Sequence, residues 1–302
     1  MTAFATCGWF AALAMPSPTT RPTATLIVAT YENPSALALV FAGLERQTAR
    51  NFEILVADDG SGDATARLVH ARRRESDLVV RHVWQPDDGL RKSRILNRAI
   101  LAAAADYLVF LDGDCIPGPD FVASHVALAR PRTYLSGSCV LLGASASEHL
   151  APDAVARGAL DGLRSCRRGN RRARRLVAAA VPGLGPWLDR RFASSPVGFH
   201  GGNASVHRDA ALAVAGFDER LRRFEDKDFG RRLRLHGLRG ESVRYRIPTW
   251  HVYHDRPYVD HAMRDESRAL YEENIASGHV RTPYGMTADV RDRTTVAGTR
   301  ME

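Results

Sequence analysis

The sequence predicts an α/β fold with a mostly parallel central sheet flanked by helices, and three observations carry that expectation. Apolar, β-rich runs alternate with stretches of helical spacing from Thr25 to Asp112. The loops between them are short, which is the signature of βαβ units. Three of the four runs also end in polar, turn-forming residues, which a parallel sheet would collect along one edge. The most informative stretch is Leu108–Pro117, where four apolar residues run into Asp112-Gly113-Asp114. Such a run reads as a strand buried on both faces, and ligands of these sheets bind beyond the carboxyl ends of the strands. Two carboxylates one residue apart repel each other unless a cation neutralises them, and hard divalent ions take oxygen ligands. A metal ion carrying a phosphorylated substrate is the expected occupant. The plain alternative is a strand end with two solvated acids.

The elements follow in order. Thr25–Thr30 is the first strand, and Asn33-Pro34 opens a helix to about Gln47 with Leu37, Val40, Phe41 and Leu44 as its buried stripe. A second strand, Phe52–Ala57, ends in Asp58-Asp59-Gly60-Ser61-Gly62-Asp63. A helix from about Ala64 to Glu75 precedes a third strand, Leu78–Trp84, and the turn Pro86–Gly89 follows. Helical spacing then covers Arg91–Ala105, and the Asp112/Asp114 strand closes this half. Phe121–Arg130 reads as a helix and Thr133–Leu142 as one strand. From Ser145 to Ser195 regularity is lost in an Ala-, Gly- and Arg-rich stretch. Order is expected again at Phe199–Val206, followed by a helix through about His236 opened by Phe224-Glu225-Asp226-Lys227-Asp228. Acids suit a helix N-terminus, so capping is the plain reading of Glu225, Asp226 and Asp228. Trp250–His254 is a strand-like run with two histidines on one face, and Tyr258–Ser277 reads as a C-terminal helix before a polar tail.

Bulk properties narrow the partners. The 302 residues carry a net charge of +8, almost all of the positive charge being arginine, which favours an anionic partner. Cys7, Cys115, Cys139 and Cys166 show no CxxC spacing, which argues against a zinc cluster or a disulfide framework and for reduced thiols in the cytoplasm. The apolar run Ala3–Met15 is too short to span a bilayer and lacks a basic leader, so residues 1–23 read as an irregular leader and linker. The arginines from Arg164 to Arg175 have no interleaved aromatics, which speaks against nucleic acid. They suit a solvated face or peripheral contact with acidic headgroups at the inner face of the membrane.

Taken together, LIVATYEN, VADDGSGD, FLDGD and GGN…GFDER…FEDKDFGRRL, in this order, resemble family 2 glycosyltransferases of the GT-A fold. The resemblance is to the bacterial branch that shares a C-terminal motif with β1,4-galactosyltransferases and chondroitin polymerase, and it covers roughly Thr25–Pro257. It implies a Rossmann-like sheet with a nucleotide-binding half at 24–115 and an acceptor half at 116–257 carrying an Arg-rich insertion at 145–198. A C-terminal helix and tail would occupy 258–302. By the same resemblance Thr30 and Glu32 frame the nucleotide base, and Asp59 accepts from a uracil N–H, which favours a UDP-sugar. Asp112 lies on the ribose side, and Asp114 ligates Mn²⁺ or Mg²⁺. The segment Gly89–Asn97 borders the donor pocket, where Lys92 could reach phosphate. Gly201, Gly202 and Asn203 underlie the donor sugar. Asp226 matches the general base of inverting enzymes, and Glu225 orients a glycan or lipid-linked acceptor. His254, with His251 as the second choice, would complete the metal's coordination. One departure stands out: the galactosyltransferase pattern has Trp-Gly-Gly before Glu-Asp, and this chain has Arg222-Arg223-Phe224.

Two competing readings remain at this level. A sugar-nucleotide pyrophosphorylase-like enzyme shares a similar core, but a Gly-rich basic loop would then be expected where Ala29–Asn33 stands. A basic nucleic-acid- or membrane-binding protein would be built around the arginine cluster.

Overall fold

The computed structural model describes residues 21–161, 175, 181–254 and 261–286. The leader, the arginines from Arg164 to Arg174, Pro257 and the tail beyond 286 lie outside the described residues. Seven strands form the main sheet: β1 (Ala24–Thr30), β2 (Phe52–Asp58), β3 (Val79–Trp84), β4 (Tyr107–Asp112), β6 (Thr133–Ser136), β8 (Ala204–His207) and β9 (Arg239–Ser242). Their order is β3-β2-β1-β4-β8-β6-β9. β1, β2, β3 and β4 run parallel, and β8 is antiparallel to both its neighbours. A second sheet, β5-β10-β7, is made of Cys115–Pro117, Pro248–His251 and Ser138–Leu141.

The continuous apolar runs are explained by burial on both faces. Leu26, Val28, Ile54, Val56, Val109 and Leu111 join one core with helices α1 (Pro34–Leu44), α2 (Asp63–Glu75) and α4 (Phe121–Ala127). Ile27, Leu55, Ala57, Leu108 and Phe110 join the other. That second core is completed by α3 (Lys92–Ala102), α8 (Arg208–Ala213) and α9 (Glu225–Leu235). Helix α1 starts where Asn33 accepts from the Ala36 N–H at 3.1 Å. Its opposite side, Leu39 and Ala42, packs on a third cluster with Ile116, Val140 and Trp250. The helix is therefore apolar nearly all round, as a helix between two cores must be.

Three expectations need correction. The single strand expected over Thr133–Leu142 is two strands in different sheets, broken at Gly137. The Gly137 N–H donates to the Asn203 carbonyl at 2.8 Å, and a side chain there would overlap the Asn203 amide. The stretch Ser145–Ser195 is not uniformly irregular: it contains α5 (Ala144–Glu148), α6 (Pro152–Ala156) and α7 (Leu184–Phe192). Asp228 is not a cap. It is fully buried in α9 and accepts from Arg232 at 2.7 Å. Helices α3 and α4 also end three residues earlier than their spacing suggests. Two cysteines without sequence spacing meet, with Cys115 and Cys139 Sγ atoms 3.3 Å apart and both buried.

The buried polar network under α9 fixes the end that faces the cleft. Arg232 also donates to the Val214 carbonyl at 2.7 Å. Asn274, on α10 (His261–Ser277), donates to both Asp218 and Asp228. Removing one partner of a buried ion pair leaves the other charge uncompensated. Arg232→Met should therefore destabilise the chain by about 3–5 kcal/mol in denaturant unfolding. A loss below about 1 kcal/mol would mean that Asp228 finds other partners.

Candidate active site

The parallel register aligns the carboxyl ends of β1, β2 and β4, with Thr30 beside Asp58 and Ala29 beside Asp112. A cleft of about 820 Å³ opens over this edge. Thr30, Glu32, Asp59, Lys92, Asp112, Asp114, Gly201, Gly202, Glu225, Asp226, His251 and His254 all line it. Twelve of the thirteen residues singled out from sequence are thus brought together. The exception is Asn203, whose buried side chain donates to the Ser138 and Ile247 carbonyls and meets His125. It staples the two sheets together beneath the cleft floor instead of facing a ligand.

Local backbone chemistry sets each group. After β2, Asp58 turns inward to His82 and the Ser61 N–H, both at 2.8 Å, while Asp59 faces the cleft. Asp59 accepts from the Gln85 amide at 2.5 Å and the Arg91 N–H at 2.8 Å. Burial nevertheless pushes its carboxyl up to about 6, against those hydrogen bonds. Glu32 sits at φ 44° and accepts from the Gly62 N–H at 2.6 Å, which ties the first loop to the second. After β4, the Gly113 N–H donates to the Ala29 carbonyl at 2.7 Å, and a Cβ at Gly113 would stand 2.8 Å from that oxygen. Only glycine lets the Asp-Gly-Asp turn close this tightly. Gly202 is constrained from the other side, where a Cβ would lie 2.6 Å from an Asp112 oxygen.

Asp114 receives two imidazoles. The Nε2 atoms of His254 and His251 lie 2.8 and 3.3 Å from the same carboxylate oxygen. The second sheet brings them there: His251 pairs with Cys115 in β5, and the Val252 N–H donates to the Asp114 carbonyl at 2.8 Å. Burial works against the Asp114 charge, but the hydrogen bonds from His251 and His254 hold its carboxyl well below the usual range. Asp114, His251 and His254 could together hold a metal ion, and so could Asp112, Asp114 and Cys115.

Across the cleft, the Lys92 ammonium lies 2.6 Å from Asp112 and 3.8 Å from Glu225. Burial opposes that charge, yet Asp112 and Glu225 raise its pKa. Glu225 is driven up to about 7 by burial, resisted by Lys92 and reinforced by Asp226. The residue before it, Phe224, has φ 64°, the left-handed conformation that favours glycine. It falls where the resembled pattern has glycine, and its ring stacks on Tyr271 at 5.8 Å. Asn97 faces away from the cleft and binds the Phe217 backbone through both ends of its amide.

Sequence reasoning missed Gln85, His200, Leu141 and Arg264. Gln85 stands just past the end of β3 on the same edge, so the parallel-sheet logic that found Asp59 could have found it. The other three lie at the end of β7, in the loop before β8 and on α10, and their approach has no local signature.

A mostly parallel sheet with acids at its carboxyl edge, facing an acidic helix start, is an α/β fold whose cleft lies where such sheets bind ligands. Residues 25–140 match the family profile described as glycosyl transferase family 2. The chain is 35% identical over 131 residues to validoxylamine A glucosyltransferase of Streptomyces hygroscopicus, covering 41% of this chain and 31% of that protein. It is 26% identical over 249 residues to chondroitin synthase of Escherichia coli, covering 77% and 34%. In structure it is similar to the Pyrobaculum calidifontis mannosyltransferase PcManGT in complex with GDP-Man and Mn²⁺, with TM-score 0.56 and 22% identity, covering 87% of this chain and 66% of that one. S. aureus TarS 1–349 in complex with UDP-GlcNAc gives TM-score 0.56 at 15% identity, covering 89% and 69%. At these identities the structural likeness shows the fold. The resemblance drawn from the motifs is borne out: residues 25–140 carry the family 2 glycosyltransferase signature on a GT-A fold. The chain spans between 12% and 34% of the length of the first curated relatives it matches.

The raised Glu225 carboxyl has a consequence for stability. Its folded pKa, about 7, exceeds the ordinary 4.5, so the folded chain binds more protons than the unfolded chain between these values. Stability from this group is therefore present below about pH 4.5 and is lost as pH rises through about 7. Glu225→Gln should melt above the parent at about pH 8 and lose that advantage as pH falls towards 4.5. A difference independent of pH would show that Glu225 stays charged in the fold.

Proposed function

We propose that the chain is an inverting, metal-dependent glycosyltransferase (a hexosyltransferase) moving a sugar from a UDP-sugar to a glycan or lipid-linked acceptor, in surface polysaccharide synthesis. The observation that carries this reading is the single cleft in which Asp112, Asp114 and two imidazoles face the Glu225–Asp226 helix start. The division into a nucleotide half at 24–115 and an acceptor half at 116–257 belongs to the same proposal, as does peripheral membrane contact through the 145–198 insertion.

Asp59, Thr30 and Glu32 would hold the base, with the Asp59 carboxylate accepting a ring N–H. Asp112 would take the ribose side, and Lys92, already poised between two carboxylates, would turn to phosphate when the donor enters. Asp114, His251 and His254 would hold the ion. A mixed carboxylate–imidazole set suits Mn²⁺ better than Mg²⁺, which prefers oxygen and water. Bound there, such a cation neutralises the diphosphate and the charge developing on the leaving group. Gly201 and Gly202 leave room for the donor sugar against the backbone. Asp226, whose Cβ is 3.9 Å from where a Gly201 Cβ would be, would take the acceptor hydroxyl proton as that oxygen attacks the anomeric carbon. Glu225 would orient the acceptor. Asp228, buried against Arg232, is not available as an alternative base.

The relatives support a sugar nucleotide donor and leave the base as the open choice, one structural neighbour holding GDP-Man and another UDP-GlcNAc. Calorimetry should find UDP bound more tightly than GDP, with Mn²⁺ strengthening UDP binding and Asp114→Ala abolishing that dependence. Equal UDP affinity with Mn²⁺ and with chelator would remove the metal from the proposal.

The test of chemistry is Asp226→Asn. The variant should keep the fold and the metal–UDP affinity, because Asn is nearly isosteric, while turnover falls about 10²–10⁴-fold. Glu225→Gln should change acceptor affinity more than turnover. Transfer by Asp226→Asn at the parent rate would place the base elsewhere.

A further inference from the structure

Helix α7 is built inside out. Its one acid, Asp189, is 2% exposed and accepts from the Ser242 hydroxyl, the Tyr245 N–H and the Arg246 guanidinium at 2.9–3.1 Å. Gly185, one turn earlier on the same face, lies so close to the Tyr245 carbonyl that a Cβ would be 2.8 Å from it. The outer face carries Trp187 at 52% exposure, with Arg190 and Arg191 three and four residues on and therefore beside it. Phe192, 49% exposed, sets its ring edge-on to Trp187 at 6.4 Å, and the Arg191 guanidinium lies 5.3 Å from the Phe192 ring. Val181, just before the helix, is 45% exposed. Helices of soluble proteins bury their apolar residues and expose their charges, so an inward carboxylate beneath outward aromatics marks a face that something covers.

We propose that the outer face of α7 docks on an anionic lipid bilayer. Amphipathic aromatic rings settle at the headgroup level, and arginines reach anionic headgroups from the same depth. The charge arrangement matches: two arginines flank the rings, and the only acid of the helix is turned inward against Arg246. A second copy of the chain fits poorly, because a two-fold interface centred on α7 would set Arg190 and Arg191 against their own counterparts. The few exposed apolar side chains also fall short of the roughly 1,000 Å² a stable protein interface needs. This docking rests on the membrane contact proposed for the 145–198 insertion and names its seat, without depending on the arginine run 164–174 or on the transferase chemistry. It does place the cleft: the Tyr245–Arg246 segment that anchors α7 leads directly into β10 and His251.

Flotation of the full chain with vesicles of phosphatidylcholine containing about one third phosphatidylglycerol tests this, against pure phosphatidylcholine. Binding is expected to the anionic vesicles alone, weakened by salt. Arg190→Gln with Arg191→Gln, and separately Trp187→Ala with Phe192→Ala, should each lower it several-fold. Brominated acyl chains should quench the parent's tryptophan fluorescence. They should quench Trp187→Phe far less, although that variant retains the apolar bulk and the vesicle binding. Equal quenching in the two proteins, or binding unaffected by the aromatic double variant, overturns the proposal. So does a concentration-dependent dimer that Trp187→Ala dissolves, which would make the face an interface between copies. UDP calorimetry on the same variants separates a failure here from a failure of the donor assignment.

Discussion

Crowding of carboxylates around one cleft is the constraint to which the rest of the structure answers. Asp59, Asp112, Asp114, Glu225 and Asp226 all line it. Two like charges about 5 Å apart repel by about 3 kcal/mol at an effective dielectric near 20, more than an ordinary hydrogen bond returns. Asp59, Asp112, Asp114 and Glu225 therefore each have a specific counterweight. Lys92 stands between Asp112 and Glu225, and two imidazoles converge on Asp114. Asp59 takes an amide and a backbone N–H instead of a cation, and burial raises its pKa accordingly.

Two sheets have to meet for that arrangement to exist. The main sheet delivers Asp112 and Asp114, and the small sheet delivers His251 and, just beyond it, His254. Their junction rests on the break at Gly137 and on Asn203, whose carbonyl accepts from the Gly137 N–H and whose side chain donates to the Ser138 carbonyl in β7. His125, its pKa lowered to about 3 by burial, completes the junction as a neutral ring between Asn203 and Ser205. The cluster of Asp114, His251 and His254 is thus a product of sheet packing and not of any one loop.

The side of the cleft formed by α9 is secured differently, through polar groups in the core. The Asp228–Arg232 pair and Asn274 hold α9, while Phe224, in a left-handed conformation against Tyr271, aims its first residues at the cleft. Helix α7 is pinned by a buried carboxylate in the same manner, which leaves its aromatic side outward. In α9 the ion pair lies on the face that also buries Phe229 and Leu233, whereas in α7 the buried face is only Gly185 and Asp189.

What the sequence by itself determined is the run of parallel strands from β1 to β4. Strands buried on both faces write themselves as unbroken apolar runs, and the parallel connections force their polar ends to one edge. Asp112 and Asp114 were therefore legible from local pattern alone, while the resemblance of the motifs in order singled out Thr30 and Asp59. The motif order also pointed to Glu225 and Asp226, because a helix start carrying two acids is a local feature. Tertiary structure alone decided the rest. Whether Asp228 faces the cleft or the core depends on Arg232 and Asn274, the latter 46 residues away. The split of Thr133–Leu142 depends on the close approach of Asn203, and the role of Asn203 depends on that split. His251 and His254 share an oxygen of Asp114 only because an antiparallel pairing across some 140 residues brings them there. Long-range pairing leaves no periodicity in the chain, so these contacts become readable only when the sheets are assembled.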